Sequence, residues 1–213
     1  MRITRIIINI TIPIFLVMLF ASLLTTKTYL RLSKGIYPSH ALIEYDHDYA
    51  IERIMGYLNY QYDDLEFGMD ENDDSTIMRD TEISHMVDVK NLYTTLRLVA
   101  LGSLIVGSGL LFYQYKKDPK ELYKTLKVMP FGPIAFIVFV GGAVIIDFDT
   151  TFRIFHELFF TNDDWLLYWD DVLILLLPQS FWMVSGLIIL LLFGGSIAGI
   201  YLLNEKIVKR RLN

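Results

Sequence analysis

The sequence predicts a membrane α-helical protein with four transmembrane helices, an outward-facing small domain, and a second outward segment that is interfacial or re-entrant. Three observations predict it. Apolar residues make up 54% of the 213, and the mean hydropathy is +0.42, above what a soluble domain of this size carries. Four mostly apolar runs, residues 3–24, 93–115, 128–148 and 181–203, are each long enough to cross about 30 Å of hydrocarbon as a helix. The basic residues gather on alternate connections between those runs.

Residues 1–24 form the first predicted span, preceded by Arg2 and Arg5. An N-terminal apolar run behind two arginines also fits a signal peptide, but this apolar core is too long and no A-x-A-like site follows it. Residues 25–92 are too long for a simple loop and too polar for a span, so they predict a small extracellular domain. Within it, residues 29–37 read as extended or turn-like, with Gly35 and Pro38 as punctuation. Ile51, Ile54, Met55 and Leu58 recur at helical spacing and predict a short amphipathic helix over the membrane surface. The remaining fold of this domain is loosely constrained and leaves room for a few short strands. The acidic run from Asp70 to Asp74 begins like a calcium loop, but Ser75 stands where the turn glycine belongs and Thr81 where the bidentate glutamate would fall. A solvated acidic turn is the reading that fits.

Residues 93–115 form the second span, with Arg97 near its start placed to snorkel. A short basic connection at 116–127 and the third span at 128–148 follow. Residues 149–180 are dense in aromatic rings of the kind that settle between headgroups and tails. The apolar part, 165–177, is too short to cross, which predicts a re-entrant or interfacial helix with Asp170 and Asp171 at its polar boundary or facing protein. The fourth span, 181–203, carries a GxxxG step at Gly195 and Gly199, read as close helix packing, and 204–213 form a tail.

Arg2 and Arg5, then Lys116, Lys117, Lys120, Lys124 and Lys127, then Lys206, Lys209, Arg210 and Arg211 all fall on one side of a four-pass topology. The positive-inside rule makes that side, and both termini, cytoplasmic. The net charge of -5 averages a basic inner face with an acidic outer one. No cysteine is present, which excludes thiol catalysis, thiolate metal sites and iron–sulfur chemistry. Phosphate loops, dinucleotide fingerprints, G-x-S-x-G elbows and H-E-x-x-H motifs are also missing from the sequence, so no cofactor, no metal and no nucleic-acid partner is expected.

The stretch Glu82-Ile83-Ser84-His85-Met86-Val87-Asp88-Val89-Lys90 carries the most chemistry. Three-residue steps put Glu82, His85 and Asp88 along one face of a helix that runs into the second span. Two carboxylates flanking a histidine can fix its tautomer and raise its basicity, although an exposed, salt-bridged helix reads the same way. His156, followed by Glu157, opens the second outward segment. Both histidines lie beside a span on the outer side, so the topology allows them to meet and to move protons in the ester region of a lipid. His40 and His47 read as surface residues.

With Phe155-His156, Phe159-Phe160, Trp165, Asp171 and Pro178 through Phe181-Trp182 added to the 82–90 stretch, the chain resembles the bacterial lipoprotein intramolecular transacylase family over nearly its whole length. The resemblance implies a multi-pass protein of the bacterial plasma membrane, acting at the outer leaflet on membrane lipid attached to diacylglyceryl-modified lipoproteins. It implies transfer of the sn-2 acyl chain to the α-amine of the same lipidated cysteine, giving a lyso-form lipoprotein. His85 and His156 are the catalytic positions it carries over, with Glu82, Asp88, Lys90, Glu157 and Asp171 in support. The chemistry needs one base and one acid: His85 is expected as the base, oriented by Glu82 or Asp88, and His156 as the acid or an oxyanion donor, the two assignments being exchangeable. A metal-dependent membrane lipid hydrolase and a non-enzymatic extracellular sensor or accessory protein are the alternatives.

Overall fold

The computed structural model describes residues 2–34 and 44–211, and the described residues form helices and connecting turns with no strand. Gly35, Pro38 and His40, named above, lie outside them, as does the end of the 29–37 stretch. The helices are α1 (Arg2–Ala21), α2 (Lys27–Ser33), α3 (His47–Leu58), α4 (Asp80–Lys117), α5 (Pro119–Val128), α6 (Phe131–Ile146), α7 (Phe148–Phe159), α8 (Val172–Leu176) and α9 (Gln179–Leu203). Four helical stretches, Arg2–Thr25, Asp80–Lys117, Pro119–Ile146 and Gln179–Val208, are long and apolar enough to cross a membrane. At 38 residues, α4 is about 57 Å long at 1.5 Å per residue, nearly twice the hydrocarbon thickness. Its apolar section is 93–115, so residues 80–92 project beyond the span.

The chain divides into two compact units. The first comprises Met1–Ala21, Leu96–Asp147 and Leu187–Asn213. Ile8, Ile12, Met129, Phe193 and Ile197 form its core. Gly107 sits where an added Cβ would run into Ile12 and Thr11, so the glycine permits that approach. An added Cβ at Gly195 or Gly199 would meet nothing within 4 Å among the described residues, so neither glycine of the GxxxG step is needed there for a close approach. The stretch expected as a plain basic connection at 116–127 is mostly α5. Its start is written in Asp118-Pro119-Lys120-Glu121: Asp118 accepts from the Glu121 backbone N–H at 3.0 Å, and Pro119 occupies the first helical turn. Glu121 is buried and takes two hydrogen bonds from Arg5, at 3.0 and 2.7 Å, which satisfies its charge.

The second unit comprises Ser22–Thr95 and Phe148–Gly186. Residues from 29 onward, expected as extended or turn-like, begin instead inside α2. Thr26 caps that helix by accepting from the Tyr29 N–H at 3.2 Å, and Leu30 buries against the core. Asp46 caps α3 through the N–H groups of Asp48 and Tyr49, at 2.9 and 3.0 Å. Ile51, Ile54, Met55 and Leu58 are all buried, so the apolar stripe read from the sequence packs into this unit's own core with Leu65, Phe67, Met86, Val172 and Phe181. Truncating Ile54 to alanine is expected to remove about 2–5 kcal/mol of packing, read as a lowered thermal midpoint in detergent. An unchanged midpoint would mean that α3 is not part of a cooperative core.

The acidic run closes as a turn. Asp73 accepts from the Met69 N–H at 2.8 Å, the Ser75 N–H at 3.0 Å and the Ser75 hydroxyl at 2.8 Å, and these bonds hold its carboxyl below the usual range. Its oxygens are committed to the local backbone. The re-entrant or interfacial helix expected over 165–177 is only partly present: α7 takes 148–159, residues 160–171 are irregular, and only Val172–Leu176 is helical within 165–177. Asn162 accepts from the Asp164 N–H at 3.1 Å in an Asx turn, and the carboxylates of Asp170 and Asp171 are held by Arg79. Those side-chain bonds stop a helix from running through the segment.

Candidate active site

The site is built on the first three turns of α4. Glu82 is fully buried, and its two oxygens serve two different backbones: one accepts from the Arg79 N–H at 2.9 Å and the other from the Leu173 N–H at 2.9 Å. The first bond is the reach-back half of a capping box, from the third helical position to the residue before the helix. The second caps the short helix α8. Burial pushes the Glu82 carboxyl above its ordinary range, against the pull of its two backbone donors.

Residues 160–171 fold back along α4 and are stitched to it. Arg79 donates to Asp171 and, at 3.2 and 2.9 Å, to Asp170. Ser84 donates to Asp164 at 2.6 Å, and Asn162 donates to Asp88 at 2.7 Å. The buried Asp171 also accepts from the Tyr168 N–H at 2.7 Å. These ties carry the segment past His85 and bring Phe160 to 5.1 Å from its ring.

His156 enters from α7. Its ring centroid lies 5.9 Å from that of His85, with the planes tilted by 36°. Phe152, Phe155, Phe160 and Trp165 surround it at 4.1, 5.5, 5.6 and 5.0 Å, Trp165 in a stacked arrangement. Both histidines are more than nine-tenths buried. The Nδ1 atom of His156 lies 2.8 Å from the carbonyl oxygen of Phe152. A carbonyl only accepts, so Nδ1 carries the proton and Nε2 of the neutral ring carries a free lone pair. On His85, Nδ1 is buried with no hydrogen-bond partner among the described residues.

Burial pulls the His85 imidazole down to about 4, His156 adding to it while Asp88 and Asp164 pull the other way. His156 is likewise lowered by burial, its bond to Phe152 opposing. Both rings are therefore neutral at pH 7. Removing the stacked indole with Trp165→Ala admits water and is expected to raise the His156 pKa toward the ordinary imidazole value, measured by NMR titration of the ring. A midpoint that stays or falls would place the cause outside the aromatic enclosure.

The two histidines singled out in the sequence thus come together. Glu82 and Asp88, expected as alternative partners of His85, bond elsewhere: Glu82 to two backbones, Asp88 to Asn162. Sharing a helix face with His85 was not enough, because unpaired N–H groups at two helix starts compete for the same carboxylate. Lys90 lies 3.8 Å from the Tyr57 ring centroid and 4.5 Å from that of Tyr60, a cation between two rings. Glu157 is exposed and pairs with Arg153 at 3.3 Å. Sequence reasoning missed Arg79, Ser84, Asn162 and Asp164, polar residues whose partners are remote in the chain. Among the described residues no group of three or more His, Asp or Glu gathers as a ligand set for a metal ion.

A sequence search of curated proteins gives no match. Among solved structures, that of the membrane-integral lipoprotein intramolecular transacylase Lit from Bacillus cereus superposes with a TM-score of 0.81 at 22% identity, covering 99% of this chain and 96% of that one. A structure of the same protein with a histidine-to-alanine mutation gives a TM-score of 0.76 at 22% identity, covering 99% and 94%. These likenesses show the fold. The family model described as lipoprotein intramolecular transacylase Lit matches residues 1–182, a range that holds both histidines, their aromatic enclosure and the ties between α4 and residues 160–171. This chain belongs to the lipoprotein intramolecular transacylase family.

Proposed function

We propose that this protein moves the sn-2 acyl chain of a diacylglyceryl-cysteine to the α-amine of that cysteine at the outer leaflet of a bacterial plasma membrane, with His156 as the base and His85 as a neutral hydrogen-bond donor. The observation that carries the assignment is the Nδ1–H of His156 on the Phe152 carbonyl, which leaves Nε2 as the free lone pair. This exchanges the roles expected from the sequence. Nε2 of His156 accepts the proton that the ammonium must lose before nitrogen attacks the ester carbonyl. His85, a neutral imidazole 5.9 Å from the base between ring centroids, donates a ring N–H to the oxyanion of the tetrahedral intermediate.

When the intermediate collapses, the imidazolium of His156 gives its proton to the departing glyceryl oxygen, and the second proton of the attacking nitrogen then passes to Nε2 of His156 and on to solvent, so that ammonium and ester become amide, alcohol and one released proton. No water is consumed. Donor and acceptor are one molecule, so proximity supplies much of the rate and no covalent enzyme intermediate is needed. A dry aromatic enclosure favours this outcome over hydrolysis, because water is the competing nucleophile.

The outer-face location follows from the basic residues on the opposite connections. It is supported by α7, which exposes Ile154, Phe155, Leu158 and Phe159 beside its charged Arg153 and Glu157, the composition of a helix that lies in a membrane interface. The test is to incubate the purified protein in detergent with a diacylglyceryl-cysteine lipopeptide and fragment the product by mass spectrometry. Unchanged total mass with one acyl chain relocated to the amine is the expected result. Loss of one acyl mass would replace transfer by hydrolysis, and an unaltered lipopeptide would refute both.

A further inference from the structure

We propose that Glu82 is a positioning residue of the transfer reaction: its carboxyl group fastens the start of α4 to the start of α8 and thereby sets the spacing between His85 and His156. The inference rests on the transacylase reading for its kinetic arm only.

The geometry is specific to a carboxylate. One oxygen meets the Arg79 N–H and the other the Leu173 N–H, both at 2.9 Å, and both are donors. A glutamine has a single acceptor oxygen, and would have to turn its NH2 group against one of the two N–H groups. An aspartate is one methylene short of spanning both. Two peptide N–H groups at helix starts also supply the positive potential that holds a buried anion. The Arg79 guanidinium, one turn away on the same helix start, closes the arrangement from outside by holding Asp170 and Asp171.

From Glu82 the connection to the reacting groups is short. His85 lies one turn along α4. Leu173 lies two residues after Asp171, where residues 160–171 end, and that segment supplies Phe160 against both imidazoles and Trp165 against His156. Loosening the bond to Leu173 frees one end of the segment that holds the two rings together. Both Glu82 oxygens bond backbone N–H groups and neither bonds an imidazole among the described residues, so its loss acts on geometry and not on proton transfer.

The test compares wild type with Glu82→Gln and Glu82→Asp in the full-length protein in detergent. Three readouts are taken: the transfer rate on a diacylglyceryl-cysteine lipopeptide, the pH dependence of that rate, and hydrogen exchange of peptides covering residues 170–176 and 47–58. In wild type the amide of Leu173 is expected to exchange slowly. Both variants are expected to lower kcat about ten-fold or more, to leave the midpoint of the pH profile in place, and to speed exchange at 170–176 with 47–58 unchanged. A wild-type rate in the variants, a moved pH midpoint, or faster exchange at 47–58 as well would each overturn the proposal, the last two by making Glu82 a titrating or a generally structural group. Rapid exchange of Leu173 in wild type would overturn it even if neither variant folds. A lipopeptide left unaltered by wild type would instead defeat the transacylase reading, with the exchange measurements still deciding the fastening.

Discussion

Replacing His156 by alanine is expected to lower transfer by about three orders of magnitude, the middle of the range for losing a positioned general base. The α-amine of the substrate is largely an ammonium at neutral pH, and nitrogen attacks an ester only with its lone pair free. Nε2 of His156 is the free imidazole lone pair that the Phe152 bond defines. Alanine removes base and packing together, and the more telling substitution is His156→Asn. Its side-chain amide can still donate to the Phe152 carbonyl at the position of Nδ1, but it has nothing to offer where Nε2 stood. If the ring serves only to seat α7, asparagine should rescue. If Nε2 is the base, asparagine should be as inactive as alanine while the thermal midpoint stays near wild type. Single-turnover transfer on the lipopeptide measures it, and activity within about three-fold of wild type in either variant would remove His156 from the chemistry.

The fold and the site differ in how much of each the sequence discloses. The spans at 3–24, 93–115, 128–148 and 181–203 follow from hydrophobic length alone, because in a bilayer length is the dominant constraint. The stripe of Ile51, Ile54, Met55 and Leu58 was legible for a similar reason: its spacing is local. The short helices were harder. The starts of α2 and α5 are signalled by Thr26 and by Asp118-Pro119, but a basic or polar composition draws attention to charge and away from caps. The segment 165–177 failed as a helix because its apolar content says nothing about Arg79, ninety residues earlier, which takes up Asp170 and Asp171.

The same division runs through the site. His85 and His156 stand out because imidazoles beside spans are uncommon and titrate near neutrality. Their proximity is a tertiary fact, as are the bonds from Ser84 to Asp164 and from Asn162 to Asp88 that secure it. Glu82 shows the limit most plainly. Helical periodicity puts it on the face of His85, which suggests an orienting carboxylate. Yet a buried carboxylate goes to the strongest unsatisfied donors within reach, and these are the N–H groups at two helix starts, one of them in an element the periodicity does not reveal.

His85→Ala is expected to cost about two to three orders of magnitude in kcat, the range for removing an oxyanion donor, and acid should slow the wild type separately, by protonating the base His156. The donor role needs one protonated ring nitrogen, which the neutral imidazole supplies. His85→Gln keeps a neutral N–H donor of similar reach and should recover some of the rate, which a base at this position would not allow. The pH behaviour follows from burial. With His85 pulled down to about 4 and His156 also lowered, the acid limb of kcat/KM should lie below the ordinary imidazole value of about 6.5. The stability has the same sign. The unfolded chain takes up protons on these rings at about 6.5 while the folded chain resists, so stability is full above that pH and falls as pH drops toward about 4. For His85 the integrated loss is roughly 3 kcal/mol, and Asp88 and Asp164, which face the ring and oppose the shift, keep it from being larger. Thermal midpoints of wild type and His85→Ala across pH 4 to 7 measure this directly, and the variant should lose less on acidification. An acid limb at or above 6.5, or equal slopes for the two proteins, would mean that water reaches His85 freely, and a solvated imidazole in that position has no advantage as an oxyanion donor over the water around it.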